Sequence, residues 1–344
     1  MSMRFIRPGL LTTVQDRGRF GLQHLGVVPC GAMDPVALEL ANGLVGNRAD
    51  EALLEITVLG PEIAFESDVL VALCGAEMEA KAGGANKDAR LDGARLPLNR
   101  PVLLEKGAVL STGRATLGSR AYLAVAGGIA LPPVLASRST YLPAKFGGLQ
   151  GRALRAGDRL PLLENVSALS LSRYRNLNGK KDMHGLRTVS WSAPALTLPA
   201  REPIVIHAME GRHHAHFDAA ARRAFFDATW RVTPDSNRMG FRLAGPVLAR
   251  EEAVEILSEP TCLGTVQVPA NGLPIALMAD HQTTGGYPKI AEIAAADVPR
   301  LAQLAPGGRV QFARCTLEQA GELRRVLRQR MDAALRSLAW DYRT

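Results

Sequence analysis

A run of hydrogen-bonding side chains that ends in a glycine pair lies within residues 280–287. Glycine lets the backbone approach a ligand closely, and the carboxylate, amide and hydroxyl groups supply both donors and acceptors. The alternative is a turn whose polar side chains satisfy only their own backbone. The run holds more polar groups than a simple turn requires, which favours a site. These residues are Asp280, Gln282, Thr283, Thr284, Gly285, Gly286 and Tyr287.

Two short apolar runs precede this segment. Residues 266–268 and 275–278 are β-branched or apolar, and the stretch 269–274 between them carries the prolines, asparagine and glycine that are typical of a turn. The pattern predicts a strand, a turn and a second strand, with Gln267 inside the first strand. The polar run therefore begins where the second strand ends.

A second candidate is the loop TTVQDRGRFG at residues 12–21. Gln15, Asp16 and Arg19 surround a glycine turn, and a guanidinium group can bind two oxygens of a carboxylate or phosphate at once. The alternative is a surface loop that contains a local Asp–Arg pair. This segment alone does not separate the two interpretations.

The segment PCGAMDPVALELANGLVGN, residues 29–47, predicts a helix that begins after Asp34. Asp34 supplies an N-cap acceptor, and Pro35 suits the first helical position. Gly31 precedes the helix N-terminus, where exposed N–H groups favour an anion. Cys30 is a potential nucleophile at that end, but no histidine base is evident, so a buried thiol is expected.

A third candidate is RVTPDSNRMGFRLAGP, residues 231–246, in which Asn237 and Arg238 are predicted to occupy a turn between strands. Arg238 is the second candidate anion ligand because its planar guanidinium matches a carboxylate or phosphate. The alternative is an Asx-type turn with a solvated arginine.

The histidine-rich segment GRHHAHF, residues 211–217, has the composition of a metal cluster. His214 and His216 alternate, yet the segment itself contains no carboxylate, and it leads through Asp218 into a predicted helix. We interpret the segment as an exposed helix entry and expect no metal site. The sequence also lacks phosphate-loop, nucleophile-elbow, H-E-x-x-H and dinucleotide-binding motifs.

Composition and charge narrow the class of protein. A content of 47% hydrophobic and 22% charged residues is ordinary for a globular chain. The formal charge of +8 is concentrated in residues 150–187, with eight Lys or Arg against three Asp or Glu. The one aromatic residue among them, Tyr174, does not make the repeated pattern that base stacking requires. A small anionic substrate or an acidic surface is therefore expected, and no nucleic acid.

The N-terminal residues lack the apolar core of a secretory signal, and no apolar run reaches membrane-spanning length. The cysteines are far apart and form no C-x-x-C pair. We therefore expect a cytoplasmic protein with reduced thiols and no membrane association.

Short apolar runs, together with 33 glycines and 21 prolines, predict a mainly β protein with a few helices. Helices are predicted at residues 34–46, at 218–230 and from Thr316, where Gln319 completes a capping box. Repeated Asn-Arg and Gly-Pro pairs suggest two related halves and hence a duplicated β-barrel. The predicted domains are 1–163, an N-terminal β-rich domain; 164–194, a basic linker or long loop; 195–315, a C-terminal β domain; and 316–344, a C-terminal amphipathic helix.

Six motifs follow one another along the chain: GLLTTVQDRGRFG, GAMDPVALELANGLVGN, YLAVAGGIALPP, SRSTYLPAKFGGLQGRALRAGD, SNRMGFRLAGP and GTVQVPANGLPIALMADHQTTGGYPKI. Together they resemble the carboxyltransferase-like family, which contains the C subunit of 5-oxoprolinase, an antagonist of a histidine-kinase inhibitor and the second carboxyltransferase-like part of urea carboxylase. The resemblance covers about residues 5–312. It implies two cyclophilin-like β-barrel subdomains. Cys30 and Ala136 stand where the family more usually has a hydroxyl residue and a glycine.

The resemblance also implies a cleft that draws residues from both halves. Arg19 and Arg238 would hold a substrate carboxylate or a phosphorylated intermediate, and Asp280 would move a proton. Gln267, Thr283 and the backbone of the glycine pair would stabilise an oxyanion. The implied catalytic residues are Asp280, Arg238, Gln267 and Thr283, and the implied substrate-binding residues are Gln15, Asp16, Arg19, Asn42, Asn47, Asn237, Gln282, Thr284, Gly285, Gly286 and Tyr287.

The implied function is that of the C subunit in a bacterial 5-oxoprolinase complex, which hydrolyses 5-oxoproline to L-glutamate with ATP. The partners would be a companion B-like subunit of related fold and a LamB/YcsF-like A subunit, with the ATP site on this chain or on a partner. No biotin-carboxylase region or biotinyl A-M-K-M motif is present, so no covalent biotin is expected. The alternatives are a biotin-dependent carboxyltransferase component and a non-catalytic antagonist of a histidine-kinase inhibitor.

Overall fold

A computed structural model describes residues 1–83, 93–164, 166–177, 186–199, 201–251 and 256–340. The chain forms two compact units. Residues 165 and 178–185 of the predicted linker, and 341–344 of the predicted C-terminal helix, lie outside the described part. The first unit comprises Met1–Gly18, Pro35–Leu198 and Arg330–Thr344, and the second comprises Arg19–Asp34 and Pro199–Gln329.

This division differs from the chain order of the predicted domains. Residues Arg19–Asp34 belong with the second unit because Met33 packs in its apolar core and the Gly31 carbonyl accepts a hydrogen bond from Arg238. The first unit continues to Leu198 and therefore includes the described part of the predicted linker.

Among the described residues, the first unit contains two six-stranded sheets, two complete α-helices and the C-terminal part of a third. Its elements are β1 (Ser2–Arg7), β2 (Leu11–Gln15), α1 (Pro35–Val45), β3 (Leu53–Thr57), β4 (Glu62–Phe65), β5 (Val69–Met78), β6 (Lys81–Gly83), β7 (Ala94–Arg95), β8 (Val102–Leu104), β9 (Val109–Ser111), β10 (Ala115–Val125), β11 (Arg159–Pro161), α2 (Ala168–Leu177) and β12 (Arg187–Thr188). The strand orders in the two sheets are β11-β1-β4-β9-β6-β7 and β12-β8-β5-β10-β3-β2.

Both sheets contribute side chains to one apolar core. Met3 and Phe5 of β1 belong to the same buried cluster as Leu54 and Ile56 of β3. Successive side chains of a strand point to opposite faces, so this alternation gives each sheet one apolar face. Full burial of one such side chain stabilises the fold by about 1.5–3 kcal/mol.

Helix α2 lies within the segment that was predicted to be a linker or loop. Ser170 of α2 is not solvated: it is buried, and its Oγ donates to the Val45 carbonyl at the end of α1, at 2.7 Å. Ser167 Oγ donates to the Gly46 carbonyl, also at 2.7 Å. The serines therefore satisfy carbonyls that a helix end leaves without intrahelical partners.

The second unit contains a closed barrel with the strand order β13-β20-β17-β18-β15-β14-β21. The prediction of a mainly β protein is confirmed. The family resemblance implies two barrels, and the first unit has two six-stranded sheets in the place of the other barrel. The elements are β13 (Ile204–Glu210), α3 (Ala219–Asp227), β14 (Thr229–Val232), β15 (Gly240–Ala244), β16 (Glu259–Pro260), β17 (Thr265–Gln267), β18 (Ile275–Leu277), β19 (Thr284–Gly285), β20 (Lys289–Ile293), α4 (Val298–Ala302), β21 (Arg309–Arg314) and α5 (Leu317–Trp340). The part of α5 from Arg330 onward belongs to the first unit.

Helix α3 packs on the barrel and is shorter than predicted. It is capped by Asp218, whose Oδ1 accepts from the Ala221 N–H at 2.6 Å, but it ends at Asp227. Trp230 lies in β14 instead, fully buried, with Nε1 donating to the Phe225 carbonyl at 3.0 Å. The burial of this large side chain in the barrel core outweighs the continuation of the helix.

Strands β17 and β18 confirm the strand, turn and strand predicted from the sequence, and Val266 pairs with Ala276. Next to them, β16 and β19 form a separate two-stranded sheet with Glu259 opposite Gly285 and Pro260 opposite Thr284. We refer to β16 and β19 as the flap. The flap carries part of the polar run that the sequence singled out.

Helix α5 begins with the predicted capping box. The Thr316 N–H donates to Gln319 Oε1 at 2.8 Å, and the Gln319 N–H donates back to Thr316 Oγ1 at 3.2 Å. Among the described residues, no helix combines the length and apolar character needed to cross a membrane.

Candidate functional site

The flap lies directly against two glutamine side chains in the second unit. Gln282 Nε2 donates to Gln267 Oε1 at 3.0 Å. A Cβ atom placed on Gly285 would lie 2.6 Å from Gln267 Nε2 and 3.2 Å from Gln282 Nε2. Strand β19 approaches these amides so closely that a side chain at this position would displace them.

Gln267 presents an amide donor with no hydrogen-bond partner among the described residues. The residue is 2% exposed, and Nε2 is the atom left without a partner. A buried donor without a partner costs about 1–3 kcal/mol. Such a group is suited to an oxygen that carries or develops negative charge, and a ligand oxygen would remove that cost.

The other residues of the polar turn differ in how far they are exposed. His281 is buried, with Nδ1 2.7 Å from the Gln282 carbonyl oxygen, and its burial lowers the pKa of the imidazole. Thr283 is half-buried, and its carbonyl accepts from the Thr261 N–H at 3.0 Å. The more exposed residues are Thr284 and Tyr287, whereas Gly286 is half-buried beside the Ile256 carbonyl.

Arg238 and Asp280 form a buried ion pair. Arg238 Nε lies 3.0 Å from Asp280 Oδ2 and Nη2 lies 2.9 Å from Oδ1, which is the bidentate geometry favoured by a guanidinium and a carboxylate. Arg238 Nη2 also donates to the Gly31 carbonyl at 2.6 Å. The side chains are 6% and 2% exposed, so the alternative of a solvated arginine is wrong.

The segment around Cys30 lies beside this ion pair. Burial raises the pKa of the Cys30 thiol to about 12; the Asp280 carboxylate adds to the rise, and the Arg19 and Arg238 guanidinium groups partly offset it. Cys30 is 5% exposed, as the expectation of a buried thiol requires. A thiol with this pKa supplies almost no thiolate near neutral pH, which argues against a nucleophilic role.

Asn237 behaves differently from its neighbour Arg238. It is exposed, and its Oδ1 accepts from the Met239 N–H at 2.8 Å, which is an Asx turn. Both residues occupy the predicted connection between β14 and β15. The turn chemistry of Asn237 thus orients a segment whose next side chain is buried.

In the first unit, Asp16 organises a loop through its carboxylate. Oδ1 accepts from the Gly18 N–H at 2.8 Å and from Ser137 Oγ at 2.7 Å, and also from Ser139 Oγ. Oδ2 accepts from the Arg138 N–H at 2.6 Å. These bonds use the acceptor capacity of Asp16 within the unit, so its observed role is to fix backbone.

The amide side chains of the first unit are also engaged with backbone. Asn47 Nδ2 donates to the Val125 carbonyl at 2.8 Å and to Asn42 Oδ1 at 3.1 Å, and Asn42 Nδ2 donates to the Glu51 carbonyl at 2.8 Å. Gln15 Nε2 donates to the Thr140 carbonyl at 3.2 Å. The Oε1 atom of Gln15 is buried and lacks a hydrogen-bond partner among the described residues.

Sequence reasoning missed a buried cation in the second unit. Lys289 is 6% exposed, and its ammonium group lies 2.8 Å from Glu259 Oε1. Glu259 also faces Arg212 and His213, at 3.2 and 3.7 Å. A lysine in the apolar run KIAEI was the available signal, because a charged residue in a buried strand requires a partner.

The histidine segment is not the exposed helix entry that was predicted. His213 and His214 are each 8% exposed, and burial lowers the pKa of both imidazoles. His213 is held by the backbone of Lys289, whose N–H lies 3.2 Å from Nδ1. Within the described part of the chain, no group of three or more His, Cys, Asp or Glu side chains is placed to hold a metal ion.

The structure thus brings together two sets of the predicted residues in the second unit and places others in the first unit. Arg19, Cys30, Arg238 and Asp280 lie together in the second unit. Gln267, Gln282 and Gly285 lie together at the flap of the same unit. The residues that belong to the first unit are Gln15, Asp16, Asn42 and Asn47.

Comparisons with known proteins agree on one family. Residues 25–314 match the family described as carboxyltransferase domain, subdomain A and B. The chain is 40% identical to the 5-oxoprolinase C subunit of Escherichia coli K12 over 98% of both chains. It is 31% identical to urea amidolyase of Saccharomyces cerevisiae over 96% of this chain, which is only 17% of that protein.

Solved structures give the same result. The chain superimposes on urea amidolyase of K. lactis with a TM-score of 0.83 and 29% identity, over 97% of this chain and 20% of the other. It therefore spans about a fifth of that larger protein. With a family match over most of its length and an end-to-end relative at this identity, the chain belongs to the carboxyltransferase domain family.

Proposed function

We propose that this chain is the C subunit of a bacterial, cytoplasmic, ATP-dependent 5-oxoprolinase complex that hydrolyses 5-oxoproline to L-glutamate. The observation that carries the proposal is the match to the E. coli 5-oxoprolinase C subunit, which covers 98% of each chain. The match to urea amidolyase covers only 17% of that protein, whereas the match to the 5-oxoprolinase C subunit covers 98% of that protein. A free-standing subunit is thus the better comparison.

The chemistry of the reaction explains why ATP would be used. A lactam carbonyl is a poor electrophile, so coupling ring opening to ATP through phosphorylation of the lactam oxygen makes the carbon reactive. This chain has no G-x-x-x-x-G-K-[ST] loop, and the proposal assigns ATP to the complex without naming a binding residue here. The partners would be a subunit of related fold and a LamB/YcsF-like subunit.

The buried polar groups of the second unit support roles in this reaction. The free Nε2 donor of Gln267 would bond an oxygen that becomes negative as the ring opens. Thr283 and the Gly285–Gly286 backbone would border the same oxygen. The Arg238–Asp280 pair would place a positive group near a substrate carboxylate, and the remaining lone pairs of Asp280 would accept a proton.

An omission experiment tests the proposal. The chain would be combined with its two expected partners, 5-oxoproline and ATP, and glutamate release would be measured with each component left out in turn. We expect glutamate only when all three proteins and ATP are present. Release that continues at full rate without this chain, or no release from the complete mixture, would reject the proposal.

A second candidate function rests on the urea amidolyase relatives. A carboxyltransferase component would require a biotinylated partner and would move labelled bicarbonate into a substrate. In the same reconstituted mixture, bicarbonate-dependent and biotin-dependent turnover would favour that function. Tight binding to the companion of related fold, with no turnover of either kind, would instead favour the non-catalytic antagonist.

A further inference from the structure

Lys289 is a buried cation that the proposed reaction does not use. It is the first residue of strand β20 of the barrel, and 6% of its surface is exposed. A buried ammonium group is costly unless it is paired and hydrogen-bonded. The contacts that compensate this charge therefore show what the residue does.

Among the described residues, the ammonium group makes its two polar contacts with the flap. Nζ lies 2.8 Å from Glu259 Oε1 and donates to the Pro260 carbonyl oxygen. Glu259 and Pro260 are the two residues of β16. One side chain on the barrel thus binds one whole strand of the flap through a carboxylate and a carbonyl.

His213 strengthens the same junction. The Lys289 N–H lies 3.2 Å from His213 Nδ1, and the Lys289 carbonyl accepts from the His213 N–H at 3.0 Å. Because Nδ1 accepts a hydrogen bond in this arrangement, the neutral ring carries its proton on Nε2, which lies 3.7 Å from Glu259 Oε1. The imidazole and the ammonium group therefore face the same carboxylate.

The strand that Lys289 holds is the partner of the strand that carries the polar turn. Glu259 pairs with Gly285 and Pro260 pairs with Thr284. Gly285 in turn lies against the amide of Gln267. A continuous series of contacts thus runs from the Lys289 ammonium group through β16 to β19 and the Gln267 donor.

We propose that Lys289 is a positioning residue that latches the flap to the barrel through Glu259 and Pro260, and so fixes residues 281–287 over Gln267. The effect on turnover rests on the proposed function, because it requires that the turn be part of the site. The latch itself concerns only the flap and can be measured on this chain alone.

Amide hydrogen exchange of the full chain tests the latch. In Lys289→Met, which keeps the length of the side chain but removes the charge, exchange in peptides covering 256–262 and 281–287 should accelerate by about tenfold or more, while β13 and β21 keep their protection. Glu259→Gln should loosen the same peptides. The second variant guards against a Lys289 variant that fails to fold.

Arg212→Met is the matched control. Arg212 approaches the same Glu259 carboxylate at 3.2 Å, but its side chain is 76% exposed, so its loss should leave flap exchange within about twofold of the parent chain. Unchanged flap exchange in both Lys289→Met and Glu259→Gln would overturn the latch. Equal loosening of flap and barrel would also overturn it, because Lys289 would then stabilise the unit as a whole.

Turnover of the reconstituted complex separates this inference from the proposed function. We expect Lys289→Met and Glu259→Gln to lower kcat/KM by about tenfold each, and the double variant to lower it by about the same factor and not by their product. A loosened flap with unchanged turnover would leave the latch intact and remove the turn from the proposed site. A multiplicative double variant would contradict action through one shared contact.

Discussion

The buried charges of the second unit occur as partners, and this determines how their variants should be interpreted. Arg238 and Asp280 share two hydrogen bonds in a setting with almost no exposure. Loss of one partner leaves the other charge buried without compensation, whereas replacing both by apolar groups is far less harmful. Loss of activity in a single variant would therefore mix catalytic and structural effects.

Arg238→Met should lower the free energy of unfolding by about 3–5 kcal/mol, since it leaves the Asp280 carboxylate unpaired. The double variant Arg238→Met with Asp280→Leu should recover most of that loss. Arg242→Met, on the exposed face of β15, is the control and should change stability by less than about 0.5 kcal/mol. Chemical denaturation measures all three, and a double variant no more stable than the single one would contradict the paired arrangement.

Buried imidazoles make stability depend on pH. Burial lowers the pKa of His213, His214 and His281, so each imidazole binds a proton less readily in the folded chain than in the unfolded chain, which takes up protons below about pH 6.5. Their contribution to stability is present above that pH and is lost as the pH falls. Glu292, whose pKa burial raises, acts in the opposite direction, but it is one group against three.

The midpoint of thermal unfolding should consequently be lower at about pH 5.5 than at about pH 7.5. His281→Gln should show a smaller difference between the two conditions, because it removes one of the three groups. A midpoint that is unchanged or higher at the lower pH would contradict a net loss of stability from these imidazoles.

The flap is the element on which the candidate site depends most. A Cβ atom on Gly285 would meet Gln267 Nε2 at 2.6 Å, so either the Gln267 amide or strand β19 would have to move. The two strands have only two residues each, so few other contacts hold β19 in place. A small displacement at Gly285 therefore moves the turn as a whole.

Gly285→Ala should lower kcat/KM of the reconstituted complex by about tenfold or more, because a shift near 1 Å in a positioning element can cost about a hundredfold. Gly321→Ala in α5 is the matched substitution, as nothing lies within 4 Å of the added methyl group, and it should leave turnover unchanged. Equal turnover of the two variants would show that the close approach of β19 has no part in the reaction.

Local signals in the sequence predicted some elements and not others. Pro35 and the Thr316–Gln319 capping box indicated where α1 and α5 begin, and the turn residues at 269–274 indicated the β17–β18 hairpin. The flap could not be predicted, because β16 and β19 are too short to show a period and pair across a long separation in sequence. Helix α2 was missed because its serines serve the end of α1, a partner more than a hundred residues away.

At the scale of the whole molecule, the six ordered motifs indicated the fold class more clearly than the pattern of apolar and polar residues did. Alternating apolar runs indicated a mainly β protein, but the barrel closes by parallel pairing of β13 with β21, which no local period reveals. Likewise, the polar turn at 280–287 was visible in the sequence, whereas the Lys289 and Glu259 contacts behind it depend on distant residues that only folding brings together.

The most direct measurement is glutamate formation from 5-oxoproline and ATP by the complex that contains this chain, compared with the complex that contains Gln267→Leu. The variant removes the buried Nε2 donor and puts an apolar side chain of similar size in its place, and assembly would be checked by gel filtration. The parent complex should form glutamate, and the variant should be slower by about a hundredfold or more, as for loss of one oxyanion donor. An assembled variant that turns over at the parent rate, or a parent complex that forms no glutamate, would contradict the assignment of this chain.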